Sequence, residues 1–215
     1  MRQHVNPLSQ FFQIPILLPN KSVLFSEPSS PIHIDIGSAK GEFLIELAGK
    51  YPKWNFLGLE IREPLVIDSE KKRIKLQLNN LKFLFCNANV SLDEWLSHLD
   101  PNQLKRVSIQ FPDPWFKRKH FKRRVLKESL LYTIAKSLSV DGELFIQSDI
   151  FKLIESMTNI IDNSIYFDRK TLDGIKWLSK NPYDVSTNRE IFVNKQNLPI
   201  YRAMYLRNSR LFINN

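Results

Sequence analysis

The chain has 215 residues, the length of one domain or of one domain with a tail. Its hydrophobic content of 43%, with 12% aromatic residues, excludes an intrinsically disordered chain. An excess of 31 basic over 22 acidic residues gives a net charge of +9, which predicts an anionic partner and favours nucleic acid over an anionic membrane surface.

The cysteine content, the histidine spacing and the hydropathy of the chain bear on disulfides, metal binding and cellular location. Cys86 is the only cysteine, which excludes an intrachain disulfide and a cysteine-based zinc site. The 4 histidines show no metal-ligand spacing, and we expect no metal. The apolar stretch at residues 11–18 is short and broken by Pro15, so it predicts neither a signal peptide nor a membrane span. We therefore expect a cytoplasmic protein without a membrane partner.

Prolines are frequent in residues 1–31 and predict a Pro-rich N-terminal arm rather than a regular element. Strands and helices then alternate through a single predicted domain, residues 32–215. The predicted strands are Ile32–Ile36, Asn55–Glu60, Lys82–Cys86, Arg106–Phe111 and Glu143–Gln147. The predicted helices are Gly41–Lys50, Arg62–Asn79, one marked by Leu92 to Leu99, Lys122–Leu138 and Ile150–Ile161.

The C-terminal part breaks this alternation. Glu190–Asn194 and Ile200–Leu206 are predicted as two successive strands that form an antiparallel pair at a sheet edge. The preceding alternation predicts a mostly parallel sheet with helices on both faces. The predicted fold class is therefore α/β.

A turn of small residues follows the first strand, which ends with Asp35. Gly37 would let a ligand approach the backbone beside a helix N-terminus. A dinucleotide fingerprint needs a small residue where this chain has Glu42, whose carboxylate would meet a pyrophosphate. A ligand without phosphate suits this turn better. A tight turn that merely packs the helix is an equally good explanation of the pattern.

Polar residues also end the next two strands. Glu60 can accept hydrogen bonds from ribose hydroxyls, and Asn87 has a donor and an acceptor for an adenine edge. Each residue alone is equally explained as a polar strand end. Together, at the carboxyl ends where ligands of such sheets bind, they predict an adenosine site without phosphates and favour S-adenosylmethionine.

Two aspartates end the fourth and fifth strands. Asp113 lies between Pro112 and Pro114, which restrict the backbone and fix the direction of the carboxylate. Asp149 faces the same crevice in the prediction, although an N-cap for the helix that follows is an equally good alternative.

A cationic run follows the Asp113 turn. Between Lys117 and Arg124, 6 of the 8 residues are Lys or Arg. Cations in the first turn of a helix oppose the helix dipole, so we expect a partner with phosphates that offsets this cost. Trp115, Phe116 and Phe121 could stack on its exposed bases.

Taken together, these residues resemble the bacterial tRNA (guanine-N7)-methyltransferase family. The most specific element is Phe111–Trp115, followed by Lys117 and the basic Lys122–Arg124, and the likeness extends from Ile32 to Arg207. The resemblance implies a Rossmann-like class I methyltransferase fold, S-adenosylmethionine as donor and tRNA as substrate. The implied target is N7 of the variable-loop guanine at tRNA position 46. It names no obligate protein partner, and monomer and homodimer stay open.

The resemblance also implies roles for individual residues. The donor-binding positions are Asp35, Glu60, Asn87 and Asp113, with Gly37 in the turn beside them. Asp113 is the implied catalytic residue. The substrate-binding positions are Lys117, Asp149, Thr187, Asn188, Arg189 and Glu190. The RNA-contacting positions are Lys119, His120, Phe121, Lys122, Arg123 and Arg124. The family usually has Gly at Ala39 and Asp at Asn87, and both departures bear on donor affinity.

Two other functions stay open at this point. One is a related methyltransferase that acts on a different RNA or on protein, because its adenosine site would have the same residues. The other is a non-catalytic RNA-binding protein on a retired methyltransferase fold. Ala39 and Asn87 favour the latter slightly, whereas Asp113, Asp149 and Glu190 oppose it.

Overall fold

The computed structural model describes residues 5–171 and 174–212. Within these residues one sheet contains β1 Ile32–Ile36, β2 Asn55–Glu60, β3 Leu81–Phe85, β4 Leu104–Gln110, β5 Leu138–Ser148, β6 Phe167–Lys170 and β7 Tyr201–Arg207. The strand order is β3-β2-β1-β4-β5-β7-β6. Strands β1 to β5 are parallel, and β7 is antiparallel to both of its neighbours.

Helices cover both faces of the sheet. They are α1 Lys21–Leu24, α2 Glu42–Lys50, α3 Glu63–Lys75, α4 Ala88–Ser97, α5 Glu128–Ser137, α6 Phe151–Asp162 and α7 Asn188–Lys195, with the 3-10 helices η1 Gln10–Gln13 and η2 Arg118–Arg123. Helices α4, α5 and α6 pack their apolar residues on one face, and α2 and α3 pack theirs on the other. Because both faces are covered, the central strands β1 and β2 are buried along their whole length.

Successive side chains of β1 point to opposite faces of the sheet, one apolar and one polar. Ile32, Ile34 and Ile36 point into the core formed with α4, α5 and α6. His33 and Asp35 therefore point to the opposite face, where both are buried and hydrogen-bonded to the Ser108 hydroxyl. A strand that is apolar in composition thus carries a carboxylate to the edge where ligands bind.

The predicted C-terminal strand pair is wrong in one member. Residues 190–194 lie in α7, and the strand that pairs with β7 at the sheet edge is β6. The helix forms because the Thr187 side chain accepts a hydrogen bond of 3.1 Å from the Glu190 N–H and caps its first turn. The missed strand β6 carries Asp168, Arg169 and Lys170, a polar composition that gives little strand signal.

The predicted helix Lys122–Leu138 is also wrong at its start. The basic residues lie in η2, and α5 begins only at Glu128 after extended residues at Arg124 and Lys127. The expected conflict between these cations and the dipole of α5 therefore does not arise, because its first turn carries Glu128 instead.

The predicted N-terminal arm is more ordered than its prolines indicate. It contains η1 and α1, and Leu18, Leu24 and Phe25 are buried in the core that also contains α4. Its early part, from Val5 to Gln13, reaches the carboxyl ends of the strands, where it borders the candidate site.

Candidate active site

Two adjoining cavities open at the carboxyl ends of the parallel strands. The larger has a volume of about 1130 Å³ and the smaller about 130 Å³. Gly37, Arg62, Gln110 and Asp113 line both of them, so they form one crevice. This is the edge at which open α/β sheets bind their ligands.

The turn after β1 both packs a helix and opens the crevice. Gly41 has φ +75°, and a Cβ there would lie 2.5 Å from the Phe83 ring, so this glycine allows α2 to pack closely. Gly37 has φ +85°, and a Cβ there would meet nothing within 4 Å, so its backbone faces open space. Ala39 also lies in the left-handed region, with φ +50°, where glycine is the less strained residue.

Glu60 is held at the end of β2 by contacts to both of its oxygens. Its side chain is 2% exposed and forms a bidentate pair with the Arg62 guanidinium, with both N–O distances 2.9 Å. The backbone N–H groups of Ala39 and Arg62 donate to the same carboxylate at 2.9 and 3.0 Å. Buried charges of this kind need such partners, and these fix the carboxylate beside the Gly37 turn.

Asp35 is the second buried carboxylate of the crevice. Its Oδ1 accepts hydrogen bonds from Ser108 Oγ at 2.6 Å and from Gln110 Nε2 at 3.2 Å. Burial raises the pKa of Asp35 to about 6, while the two hydrogen bonds oppose the increase and Glu60 adds to it. The charge state of this carboxyl therefore changes just below neutral pH.

Asn87 follows β3 as the N-cap of α4, and both the oxygen and the nitrogen of its amide are hydrogen-bonded. Its Oδ1 accepts from the Asn89 N–H at 3.2 Å and caps α4, and its Nδ2 donates to the carbonyls of Pro7 and Phe12 at 3.3 and 3.0 Å. The Phe12 ring lies 6.3 Å from that of Phe85, between centroids. The N-terminal arm therefore borders the part of the crevice that was predicted for adenine.

The Asp113 turn is built on a strained backbone. Phe111 and Trp115, on either side of the Pro-Asp-Pro segment, have φ values of +47° and +46°, which cost on the order of 1–3 kcal/mol each for non-glycine residues. The Phe111 N–H donates to the Gln147 carbonyl at 2.8 Å, which ties the turn to β5. Glu60 and, to a lesser degree, Asp113 raise the pKa of the Arg62 guanidinium, which places positive charge near this aspartate.

The cationic segment η2 folds back on this turn. The Arg123 guanidinium lies 5.0 Å from the centroid of the Trp115 ring, and Arg124 Nε donates to the Pro114 carbonyl at 3.0 Å. Phe116 is 72% exposed, and Lys117, Lys119 and Lys122 are also exposed. Burial and the surrounding cations, Arg123 foremost among them, lower the pKa of His120. The segment thus presents positive charge and aromatic surface to solvent, directly beside Asp113.

The predicted substrate positions divide into two groups. Thr187, Asn188 and Arg189 line the larger cavity, and Arg189 donates a hydrogen bond to the Asp149 carboxylate. The alternative explanation of Asp149 as an N-cap is wrong, because the N-cap of α6 is Ile150, whose N–H is bonded to Ser148 Oγ at 3.1 Å.

Glu190 lies in the interior rather than in the wall of either cavity. Its carboxylate accepts from Arg202 Nη2 at 2.7 Å, from Asn181 Nδ2 at 3.0 Å and from Gln147 Nε2 at 3.2 Å. The exposed Lys117 lines neither cavity. The roles of these residues stay predictions, and Glu190 lies on the interior side of the first turn of α7.

Sequence reasoning missed three components of the site. Arg62 and Gln110 lie at the ends of β2 and β4, so the rule that selected Glu60 would also have selected them. The contacts between the arm and Asn87 join residues 75 or more positions apart, and no local pattern signals them.

The described residues contain neither a metal-binding group nor a membrane-spanning helix. Among residues 5–171 and 174–212, no three or more His, Cys, Asp or Glu side chains are grouped so that they could hold a metal ion. No helix in the same ranges has the length and the apolar character that a membrane span requires.

Comparison with known proteins places this site in a family. A family profile described as "Putative methyltransferase" matches residues 29–203. A protein of Prochlorococcus marinus (strain NATL1A) named tRNA (guanine-N(7)-)-methyltransferase is 72% identical over 214 residues, which are 100% of both chains. The chain belongs to the tRNA (guanine-N7)-methyltransferase family. A protein of the same name from strain MIT 9313 is 53% identical over 98% of this chain and 89% of its own. The resemblance inferred from the sequence is thereby confirmed.

Solved structures confirm the fold of this tRNA (guanine-N7)-methyltransferase family member. An rRNA methylase from Streptococcus thermophilus aligns with a TM-score of 0.53 and 16% identity, covering 88% of this chain and 92% of that one. Precorrin-6y C5,15-methyltransferase from Geobacter metallireducens GS-15 aligns with a TM-score of 0.54 and 14% identity, covering 83% and 81%. At these identities the likeness concerns the fold alone, the Rossmann-like class I methyltransferase fold that was predicted.

Proposed function

We propose that this protein transfers a methyl group from S-adenosylmethionine to N7 of a guanine in tRNA, the variable-loop guanine at position 46. The observation that carries the proposal is the position of Asp113. It borders both cavities of the crevice and begins the turn that continues into the cationic segment η2. A relative named for this activity, 72% identical over the whole chain, supports the same reaction.

The polar groups of the crevice suit an adenosine donor without phosphates. Asp35 would face the ammonium group of the donor, and Glu60 would accept from its ribose hydroxyls. Asn87, whose Nδ2 is bonded to the arm, would accept from the adenine amino group with its Oδ1. Glu42, in the first turn of α2, is paired with Lys72 at 2.9 Å and keeps negative charge at the helix end where a dinucleotide would place its phosphates. Bound there, the donor would supply a methyl group made electrophilic by a sulfonium.

The acceptor nitrogen defines what the protein has to do. N7 of neutral guanine has a lone pair and no proton, so it can attack the methyl carbon directly while the electron pair of the broken carbon–sulfur bond stays on sulfur. No general base is needed to deprotonate the nucleophile. Proximity and alignment of N7 with the methyl group would supply most of the rate.

Asp113 has an electrostatic and orienting task in this proposal. Methylation leaves a positive charge on the guanine ring, and a fixed carboxylate beside the ring stabilises that charge as it develops. The same carboxylate can accept hydrogen bonds from the N–H groups of guanine and hold the base in line. The prolines on either side and the strained Phe111 and Trp115 keep it in position.

The tRNA would be held by η2 and the aromatic residues next to it. Lys119, Lys122 and the neighbouring arginines would contact phosphates, and the exposed Phe116 and Phe121 would pack on bases or sugars. We assign the catalytic domain to residues 32–215 and an N-terminal arm to residues 1–31, of which the part at residues 5–13 borders the donor site. The tRNA substrate places the proposed activity in the cytoplasm.

A modified acceptor tests the proposal at the level of one atom. We expect methyl transfer from labelled S-adenosylmethionine to an unmodified tRNA, and none to the same tRNA with 7-deazaguanosine at position 46. The deaza nucleoside keeps the Watson–Crick edge of guanine but has a C–H group at position 7. Both RNAs should bind with similar affinity, and undiminished labelling of the deaza RNA would contradict the proposal.

A further inference from the structure

We propose that Gln110 and Gln147 are positioning residues, which connect Arg202 to Asp35 in a directional hydrogen-bond chain and thereby aim this carboxylate at the methyl donor. The inference rests on the proposed function, because it deepens the role given there to Asp35. Asp35 itself would touch the donor, whereas the two glutamines act through it.

The chain crosses neighbouring strands of the sheet. Arg202 Nε on β7 donates to Gln147 Oε1 on β5 at 3.1 Å, and Gln147 Nε2 donates to Gln110 Oε1 on β4 at 2.7 Å. Gln110 Nε2 then donates to Asp35 Oδ1 on β1 at 3.2 Å. Gln147 is the strand-pairing partner of both Gln110 and Arg202, so the backbone ladder keeps these side chains in register.

Arg202 sets the direction of the chain. A guanidinium has only donors, so Gln147 must turn its oxygen towards Arg202 and its NH2 group towards the acceptors Gln110 Oε1 and Glu190 Oε2. Gln110 must then turn its NH2 group towards Asp35. The pair between Arg202 and Glu190, at 2.7 Å, holds the first member in place. An amide that could otherwise adopt either orientation has only one that satisfies all partners.

The consequence for Asp35 is a fixed carboxylate with a preferred charge. Its hydrogen bonds from Gln110 and from Ser108 both end on Oδ1, and both stabilise the ionised form. Reversal of the Gln110 amide would place its oxygen against the carboxylate instead. The donor site is thus coupled to α7, because Glu190 lies at the far end of the hydrogen-bond chain and in the first turn of this helix, directly after Thr187–Arg189.

The burial of Gln147 makes the inference testable. This side chain is 0% exposed, so it cannot contact a ligand, and any effect on donor binding has to pass through its neighbours. If Gln147 had a structural role only, its substitution would lower the melting temperature and leave donor affinity unchanged. Gln103 is a matched control, because it is a buried glutamine whose Nε2 donates to the carbonyls of Pro28 and Ser30 at the opposite end of the sheet.

The experiment is a double-mutant cycle on the affinity for S-adenosylmethionine, measured by calorimetry. We expect Gln147→Met to weaken donor binding about tenfold, the effect of losing one hydrogen bond to a charged group. Gln110→Met should weaken it at least as much, and the double variant no more than Gln110→Met alone, because the two act in series. Gln103→Met should leave the dissociation constant unchanged. In turnover assays the Gln147 variant should raise KM for the donor and leave kcat at saturating donor unchanged.

Wild-type affinity in the Gln147→Met variant, or effects that multiply in the double variant, would overturn the inference. If that variant does not fold, Gln147→Glu takes its place, since its carboxylate still accepts from Arg202 but cannot donate to Gln110, whose NH2 group would then turn away from Asp35. Unchanged donor binding there would overturn the inference equally. A wild-type protein that binds no S-adenosylmethionine would contradict the proposed function itself, which is a separate outcome.

Discussion

The two sides of the candidate active site are built in opposite ways. In the donor crevice, Asp35 and Glu60 are buried, and each is held by hydrogen bonds from residues on neighbouring strands or turns. In η2 none of the residues is buried, and the segment is positioned by the stacking of Arg123 on Trp115 and the bond from Arg124 to Pro114. A small donor thus meets a site that is arranged beforehand, whereas a large polyanion meets a charged surface.

The contacts in these two regions depend differently on salt concentration. Interior hydrogen bonds are little affected by salt, whereas contacts between exposed lysines and phosphates are weakened by it. Asp113 lies where the two regions meet, since it lines the crevice and precedes η2. Substitutions at Asp113, in the donor crevice and in η2 should therefore have distinguishable effects on turnover, donor binding and tRNA binding, respectively.

The largest effect is expected at the point where the regions meet. Asp113→Asn keeps the size of the side chain and removes its charge, and we expect turnover to fall about 100-fold, as for other groups that stabilise developing charge. The affinity for tRNA should be retained. Asp100→Asn, a control at an exposed carboxylate that is paired with Lys21 and does not line the crevice, should have wild-type turnover. An Asp113 variant with both full turnover and normal tRNA affinity would remove this residue from the mechanism.

The donor side alone should respond to pH through Asp35. Burial raises the pKa of Asp35 to about 6, and an ammonium group on the donor prefers the ionised carboxyl. Below this pH the carboxyl binds a proton and loses the attraction, so the dissociation constant of S-adenosylmethionine should rise by up to about tenfold per pH unit. Above it the constant should be level. His33, whose pKa burial lowers to about 3, stays neutral throughout this range.

Calorimetric titrations between about pH 5 and pH 8 check this dependence. Asp35→Asn should bind the donor more weakly and without the rise at low pH. A wild-type affinity that does not change across this range would show that the charge of Asp35 plays no part in donor binding.

The RNA side alone should respond to salt. Lys119 and Lys122 are exposed, unlike the arginines that pack on the turn, so replacing both by Gln removes charge and leaves the turn intact. The slope of log K for tRNA against log salt should become shallower by about 0.7–0.9 for each lost contact, with donor affinity unchanged. Lys53→Gln combined with Lys136→Gln removes the same charge at exposed positions elsewhere and should leave the slope as it is. Equal slopes in both double variants would move the RNA site away from η2.

The smallest effect is expected where the arm meets the donor crevice. Asn87→Asp keeps the oxygen that caps α4 but cannot donate to the carbonyls of Pro7 and Phe12. Since a hydrogen bond contributes about 1 kcal/mol, amide hydrogen exchange in the arm should become several-fold faster. Asn80→Asp, which removes an equally well-bonded amide elsewhere, should not change exchange in the arm. Unchanged exchange in the Asn87 variant would mean that other contacts hold the arm.

The fold could be predicted from the sequence wherever local pattern and burial coincide. The central strands β1 and β2 are short, mainly apolar segments that are buried along their whole length, because both faces of the parallel sheet are covered. The helix α7 was missed because its apolar spacing also fits a strand. What decides between the two is the Thr187 cap and the burial of Glu190 against Arg202, which is 12 residues away.

Some residues of the candidate site could likewise be predicted from the sequence, and others could not. Residues at strand ends, such as Asp35 and Glu60, follow from topology, since the carboxyl ends of parallel strands lie at one edge. Gln147 has no such signal, because its importance depends on partners at residues 110, 190 and 202. A sequence shows which side chains reach the ligand edge, but not the buried contacts that orient them.

The measurement that tests the central claim most directly is a map of the methyl group. Unmodified tRNA is incubated with the protein and labelled S-adenosylmethionine, and the product is digested and sequenced at the modified position. We predict 7-methylguanosine at the variable-loop guanine in the wild-type product, and about 100-fold slower formation of the same nucleoside by Asp113→Asn. A methyl group on another atom or another nucleotide, or no transfer by a protein that binds both ligands, would contradict the account.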